Sequence, residues 1–253
     1  MEELTRALNE FKSIQLNELD NANLMDRVDT KFAFSRLELN KILLELLPDY
    51  FCFEINEMRI GNYQSLYFDK ECFDFYNDHH NGKIHRFKVR FRKYVDSDIY
   101  FLEVKEKQKG RVTKRRIPVT RFEQVLQEEQ RAFVDNILGE KTDLEPKLWN
   151  TYKRITLVSK NKKERLTLDL DIKFSWKEES KEFDDIVIAE LKQERLDRSS
   201  PFYQLMRKRS IRPYRLSKYC IGAIELHTKR KLKYNRFKKK LLKLKEIKND
   251  TRN

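Results

Sequence analysis

The stretch Arg86–Arg92 alternates without a break, with Phe87, Val89 and Phe91 on one parity and Arg86, Lys88, Arg90 and Arg92 on the other. Successive side chains of a strand point to opposite faces, so residues 84–94 predict a strand with one apolar and one cationic face. Similar patterns run along most of the chain. Residues 29–34 set Phe32 and Phe34 against Asp29 and Lys31. Residues 63–69 predict another strand, and residues 100–107 one that aligns Phe101, Glu103, Lys105 and Lys107. A turn at Lys109-Gly110 leads into a strand over 111–119. Three more follow over 151–159, 165–174 and 185–193, the first two joined at Asn161-Lys162-Lys163. In these, Arg154 opposes Ile155, and Glu190 and Lys192 oppose Ala189 and Leu191. Arg165, Thr167, Asp169 and Asp171 oppose Leu166, Leu168, Leu170 and Ile172.

Helical signals fall between the strands. Leu4, Leu8, Phe11 and Ile14 have helical spacing over 3–19. Ser35 with Glu38, and Thr120 with Glu123, read as capping boxes, opening helices that stop near Leu47 and at Gly139. A helical turn or two ends near Gly82, Ser200-Pro201 opens another helix, and Ser217 opens the next. Roughly eight strands, apolar on one face and charged on the other, with helices between them, predict an α+β fold. Its centre is an antiparallel eight-stranded β-barrel with a polar lumen and helices packed outside. The alternative is an open sheet on helices with its charged face in water.

The chain of 253 residues accommodates one large domain, and 39% hydrophobic content with 12% aromatics supports a real core. The net charge of +14 is unevenly spread. Residues 228–253 carry 12 Lys/Arg against 2 Asp/Glu, and the remainder 43 against 39. The expected division is therefore a domain over 1–227 and a basic tail over 228–253. The nearly balanced body gives no case for specific nucleic-acid binding. In the tail, Tyr234, Phe237, Leu241 and Leu244 form one apolar stripe on a cationic helix. Such a helix is suited to a membrane surface or a membrane-protein partner, or to collecting a polyanion at the barrel mouth, and the tail is expected to be removable without loss of the fold. Cys52, Cys72 and Cys220 are widely separated and form no zinc spacing. They read as thiols of a reducing compartment, which makes the expected location cytoplasmic, peripheral to a membrane if the tail binds one. No apolar run reaches the roughly 18–20 residues of a membrane span, and the N-terminus does not read as a signal peptide.

Nine segments, taken in order, resemble one known family. They are RVDTKFAF (27–34), YQSLYFD (63–69), RFKVRFRKY (86–94), FLEVKEK (101–107), GRVTKRR (110–116), YKR (152–154), ERLTLDLD (164–171), IAELK (188–192) and SKY (217–219). They resemble the polyphosphate polymerase domain of the vacuolar transporter chaperone (VTC) family, within the triphosphate tunnel metalloenzyme (CYTH-like) superfamily, over about residues 24–226. The resemblance implies an eight-stranded tunnel whose inward cations grip a triphosphate, with an acidic residue holding Mn²⁺ or Mg²⁺. By motif position, Lys31, Arg90, Arg92, Lys105, Arg154, Arg165 and Lys218 are the implied phosphate-gripping residues, with Lys114 or Arg116 adding one more cation. Glu190 is the implied metal ligand and Glu103 a second candidate. Asp169 and Asp171 read as carboxylates that orient Arg165, and Tyr63 and Tyr67 as wall residues.

The implied activity is metal-dependent transfer of the ATP γ-phosphoryl group to a growing polyphosphate chain. Arg forks and Lys point charges suit phosphate oxygens, and hard oxygen donors suit those metals. Two alternatives stay open: a triphosphate or polyphosphate hydrolase of the same fold, and a non-catalytic polyanion-binding module. Hydrolases and cyclases of the superfamily carry an E-x-E-x-K near the first strand; here the stretch is Asp29-Thr30-Lys31, which favours the polymerase branch. The fungal polymerases also carry a sensor domain and a membrane segment; for this chain regulation and translocation are expected to come from partner chains or not to occur.

Overall fold

The computed structural model describes residues 2–15, 18, 27–109 and 111–250, with side chains to Ile247. Eight long strands form one antiparallel path. In spatial order they are β2 (Val28–Ser35), β11 (Ile186–Gln193), β9 (Glu164–Trp176), β8 (Glu145–Ser159), β4 (Ile60–Asp69), β5 (Arg86–Tyr94), β6 (Ile99–Gln108) and β7 (Arg111–Val119). Three short strands lie off it: β1 (Ser13–Ile14) pairs in parallel with β3 (Tyr50–Phe53), β3 pairs with β8, and β10 (Glu179–Phe183) pairs with β9. The sheet is curled into a half-barrel. Its end strands β2 and β7 are not paired with each other among the described residues. The curl still brings Lys105 of β6 within 3.8 Å of Asp29 on β2.

Strand parity decides what each face packs against. The convex face of β2, β8, β9 and β11 offers Phe32, Phe34, Ile155, Leu166, Leu168 and Leu191. It is covered by α1 (Glu2–Asn9), α2 (Leu39–Leu46) and α5 (Pro201–Lys208). The convex face of β4, β5 and β6 offers Leu66, Phe68, Val89, Phe91, Leu102 and Val104, packed with Phe75 of α3 (Asp74–Asn81) and Val134 of α4 (Glu128–Leu138). Each such fully buried side chain is worth about 1.5–3 kcal/mol. A third cluster fills part of the concave side. There Ile172, Phe174, Ile186 and Ile188 meet Tyr219, Cys220 and Ala223 of α6 (Lys218–Leu226).

A bulge creates that third cluster. Asp171 has φ of 50°, and between Thr151 and Lys153 the β8–β9 register shifts so that β9 carries the extra residue. An extra residue reverses the parity beyond it. Leu166, Leu168 and Leu170 therefore pack with the convex core, and Ile172 and Phe174 pack with α6. The expectation that Ile172 continues the Leu166–Leu170 face is overturned at this point. α6 lies so close that a Cβ at Gly222 would fall 2.6 Å from the Phe174 ring. The buried Asp69 carboxylate accepts from the α3 amides of Phe75 and Tyr76, both at 2.9 Å, and from Tyr219 Oη, tying α3 to α6.

Three helical expectations change. The first helix ends at Asn9; Phe11 is still buried, but Ser13-Ile14 is drawn into pairing with β3, and residues 16, 17 and 19 lie outside the described residues. The helix ending at Gly139 starts at the Gln127–Gln130 capping box, not at Thr120; Arg121 and Glu123 pair at 2.7 Å in the preceding loop. The tail is not a detached element. α7 (Asn235–Asp250) turns its stripe inward, and Phe237, Leu241, Leu244 and Ile247 are buried in the α6 cluster. The apolar face proposed for a membrane or partner is covered by the body itself.

Candidate functional site

The concave face gathers cations from every side. Lys31 stands on β2, Arg90 and Arg92 on β5, Lys105 on β6, Lys114 on β7, Arg154 on β8, Arg165 on β9, and Lys218 at the first turn of α6. Lys88 and Lys192 share that face, on β5 and β11. Four carboxylates, Asp29, Glu103, Asp169 and Glu190, lie among these ten cations. The balance on the face is strongly positive.

Each carboxylate holds particular cations in place. Glu103 Oε2 accepts from Arg90 Nε at 2.9 Å and Nη2 at 2.7 Å, with Arg92 Nε at 3.9 Å, while Lys114 Nζ lies 2.6 Å from Oε1. Asp169 takes Arg154 through two bonds of 2.6 and 2.9 Å and also accepts from Lys218. Glu190 contacts Lys192 at 2.7 Å and Lys31 at 3.7 Å. Among the described residues the one ion-pair contact of Lys105 is with Asp29, at 3.8 Å. Tyrosines complete the wall: Tyr67 Oη accepts from Arg90 at 2.9 Å, Tyr152 Oη accepts from Arg92 at 2.8 Å, and Tyr63 stacks on Tyr152 at 5.3 Å.

These contacts fix the ionisation states. Burial pushes Glu103, Asp169 and Glu190 upward, yet the cations around each outweigh it and hold all three below the usual carboxylate range. Burial has the opposite consequence for several lysines. It pushes Lys192 and Lys114 down to about 8 against their carboxylate partners. Lys88 goes down to about 7, from burial with Lys105, Lys31 and Arg86 adding to it. Lys88 has no carboxylate partner among the described residues; its Nζ donates to Ser217 Oγ at 2.8 Å. Arg165 likewise has no ion-pair partner among the described residues, and burial with Arg27 and Arg154 nearby lowers its pKa. Asp169 turns to Arg154 and Lys218, and Asp171 lies 2.9 Å from Lys153, so neither orients Arg165 as expected.

All eight expected phosphate-contact residues thus share one face, together with Glu103 and Glu190. Lys88 and Lys192 were legible by parity alone, since they stand two residues from Arg90 and Glu190. Tyr152 carries no such signal, because tyrosine in a strand is ordinarily a core residue. Arg92 Nε is buried with no hydrogen-bond acceptor among the described residues, a state an incoming oxyanion would relieve. A closed metal cage is absent: no group of three or more His, Cys, Asp or Glu side chains converges among the described residues. Glu103 is enclosed by three cations, whereas Glu190 faces the lumen between two lysines. The donor set fits a divalent ion that takes one protein carboxylate and its remaining oxygens from phosphate and water, the usual manner for Mg²⁺.

The family model described as VTC domain matches residues 26–227. No curated protein matches the chain. Among solved structures, a candidate adenylate cyclase from Bacillus halodurans is 12% identical, covering 76% of this chain and 93% of its own, with a TM-score of 0.49. The PH1819 protein of Pyrococcus horikoshii is 12% identical over 80% of this chain and 98% of its own, at 0.44. A candidate adenylyl cyclase from Hippeastrum, described as having a dominant triphosphatase activity, is 11% identical over 78% and 94%, at 0.46. No helix among the described residues is long and apolar enough to cross a membrane.

Proposed function

The chain belongs to the VTC domain family, and on that footing we propose that it is a polyphosphate polymerase, transferring the γ-phosphoryl group of ATP to the end of a polyphosphate chain. The observation that carries this reading is the distribution of the cations. They do not form one cluster but extend along the concave face from Arg165 and Arg154, through Arg92 and Arg90, to Lys105 and Lys88. A polymerase must hold a donor triphosphate and a second phosphate chain in one line, and such a row serves that need.

The chemistry asks little of the protein beyond position and charge. An oxygen of the chain-end phosphate attacks the γ-phosphorus, the bond to the β,γ-bridging oxygen breaks, and ADP leaves with that oxygen. Arg90 and Arg154, braced by Glu103 and Asp169, present fixed forks to phosphate oxygens. Lys31, Lys105 and Lys218 supply point charges. Glu190 is the residue that would hold Mn²⁺ or Mg²⁺, which when bound neutralises charge on the reacting oxygens. The pairing of every carboxylate with lysine or arginine keeps the lumen ordered before substrate arrives, so little reorganisation is left for the reaction. The test is the fate of labelled γ-phosphate from ATP, either incorporated into longer chains or released to water.

A further inference from the structure

The two ends of the concave face differ in chemistry. One is aromatic, with Tyr63, Tyr94 and Phe101 beside Arg92 and Arg154. The other, on the side of α6 and α7, is purely cationic. Arg86 and Lys107 are direct cross-strand partners there, one step along the ladder from Lys88 and Lys105. Each step of two residues along a strand is about 7 Å. The segment before α6 joins this end to the tail helix. Tyr214 N donates to Lys31 O at 2.5 Å, and Tyr214 Oη donates to Lys239 O at 3.1 Å, so Arg215 is held between β2 and α7. Lys240, one residue further along α7, is half-buried, and Arg215 is exposed.

Like charges gathered this way repel unless an anion lies among them. None of Arg86, Lys88, Lys107, Arg215 and Lys240 has an ion-pair partner among the described residues. Burial lowers Lys107 further with Arg86 and Arg215 against it, and it lowers Lys240 with the same two arginines against it. His79 borders the cluster, its Nδ1 buried and unpaired among the described residues. Burial and the charges of Lys88, Arg86 and Lys240 keep its ring neutral. Elsewhere on the concave face Lys31, Arg90, Arg92, Lys105, Lys114, Arg154, Lys192 and Lys218 each have a carboxylate partner and, among the described residues, Arg165 alone does not, so the gathering of five unpaired cations sets this end apart.

We infer that this cluster is a chain-holding subsite. It binds the phosphoryl units of a polyphosphate beyond those seated in the lumen, and α7 forms one of its walls. The inference rests on the reading that the lumen takes polyphosphate. α7 lies outside residues 26–227, so this wall is an addition to the matched domain. It also gives the tail a role that its burial against the body makes sense of: Phe237 and Leu241 anchor the helix, and Lys240 between them lies near Arg215 and Arg86, its Nζ 4.9 Å from the Phe237 ring centre.

The experiment compares binding of tripolyphosphate with binding of a chain of about twenty phosphoryl units across a salt series. The variant is Arg215→Gln with Lys240→Gln, two residues outside the buried clusters and without ion-pair partners among the described residues. It is expected to bind the long chain roughly ten-fold more weakly, with a salt slope shallower by about two, and to bind tripolyphosphate as before. Unchanged affinity for the long chain, or an equal loss for both ligands, would overturn the inference. So would a loss confined to vesicles of anionic lipid. Arg90→Ala judges the lumen separately. If it weakens neither ligand while the double variant still weakens the long chain, the lumen assignment falls, and with it the inference that this cluster extends a lumen site, leaving a separate polyphosphate-binding surface.

Discussion

Arg90 and Glu103 face each other directly across the β5–β6 ladder, and the guanidinium reaches a single carboxylate oxygen through both Nε and Nη2. The pair leaves Nη1 to Tyr67 Oη at 2.9 Å. A fork braced on two sides presents its remaining lone-pair-seeking edge to the lumen at little entropic cost. Arg92, two residues on, leans on Tyr152 at 2.8 Å and keeps an unpaired Nε. Changing Arg90 or Arg92 to Ala is expected to weaken tripolyphosphate binding by about 1.5–3 kcal/mol, the range of a charge-assisted hydrogen bond. Lys93 has the opposite parity and holds Asp98 at 2.6 Å, so Lys93→Ala is expected to bind as wild type does. Titration calorimetry reads all three; equal affinities would move the binding site off this face.

Glu190 separates binding from turnover. Glu190→Gln keeps the shape and removes the charge that draws Lys31 and Lys192 inward. Metal-free binding of tripolyphosphate should survive or tighten as those lysines are freed, while turnover with Mn²⁺ collapses. Full activity of the Gln variant would remove Glu190 from the metal-holding role.

Lys88 predicts a pH dependence of binding. Its pKa is down to about 7, from burial with Lys105, Lys31 and Arg86 adding to it. Cys220 also borders it and acts in the opposite sense. An anion in the lumen favours the charged ammonium and raises that pKa. Below about pH 7 the group is already protonated and binding takes up nothing there. Above it, binding takes up a proton, so affinity contributed by this group falls as pH rises. Calorimetry at pH 8.5 in buffers of different ionisation enthalpy should show proton uptake that Lys88→Met reduces. Identical uptake in the variant would assign the proton to other groups.

The strands were legible in the chain because a period of two is a strong signal where one face is apolar and the other charged. The α+β sheet with helices packed on its convex face followed from it, although α6 and α7 pack on the concave side, and the parity of Arg90, Arg92, Lys105, Arg154 and Glu190 set them on one face. What the pattern could not carry is a single inserted residue. The bulge at Asp171 leaves no mark, because Leu170, Ile172 and Phe174 keep the same apolar alternation on both sides of it. The pairing of Asp169 with Lys218 was equally hidden, since 49 residues separate them in sequence. The tail misled for a different reason: an apolar stripe on a basic helix looks the same whether its cover is a bilayer or the body of its own chain.

Removal of residues 228–253 therefore has a cost. Phe237, Leu241, Leu244 and Ile247 leave the α6 cluster, and side chains buried to this degree are worth about 1.5–3 kcal/mol each before the truncated surface relaxes. The truncated chain is expected to unfold at markedly lower denaturant concentration. An unchanged midpoint would mean that α7 docks without stabilising the fold.

The central claim is that this lumen passes phosphoryl groups to phosphate and not to water. Incubation of the purified chain with γ-labelled ATP and Mn²⁺, followed by a denaturing gel, tests it most directly. The account predicts a ladder of labelled chains longer than three units, with ADP formed in step with the label incorporated. Release of orthophosphate alone would contradict it and make the enzyme a hydrolase, and neither product, with tripolyphosphate still bound, would contradict it in favour of a binding module.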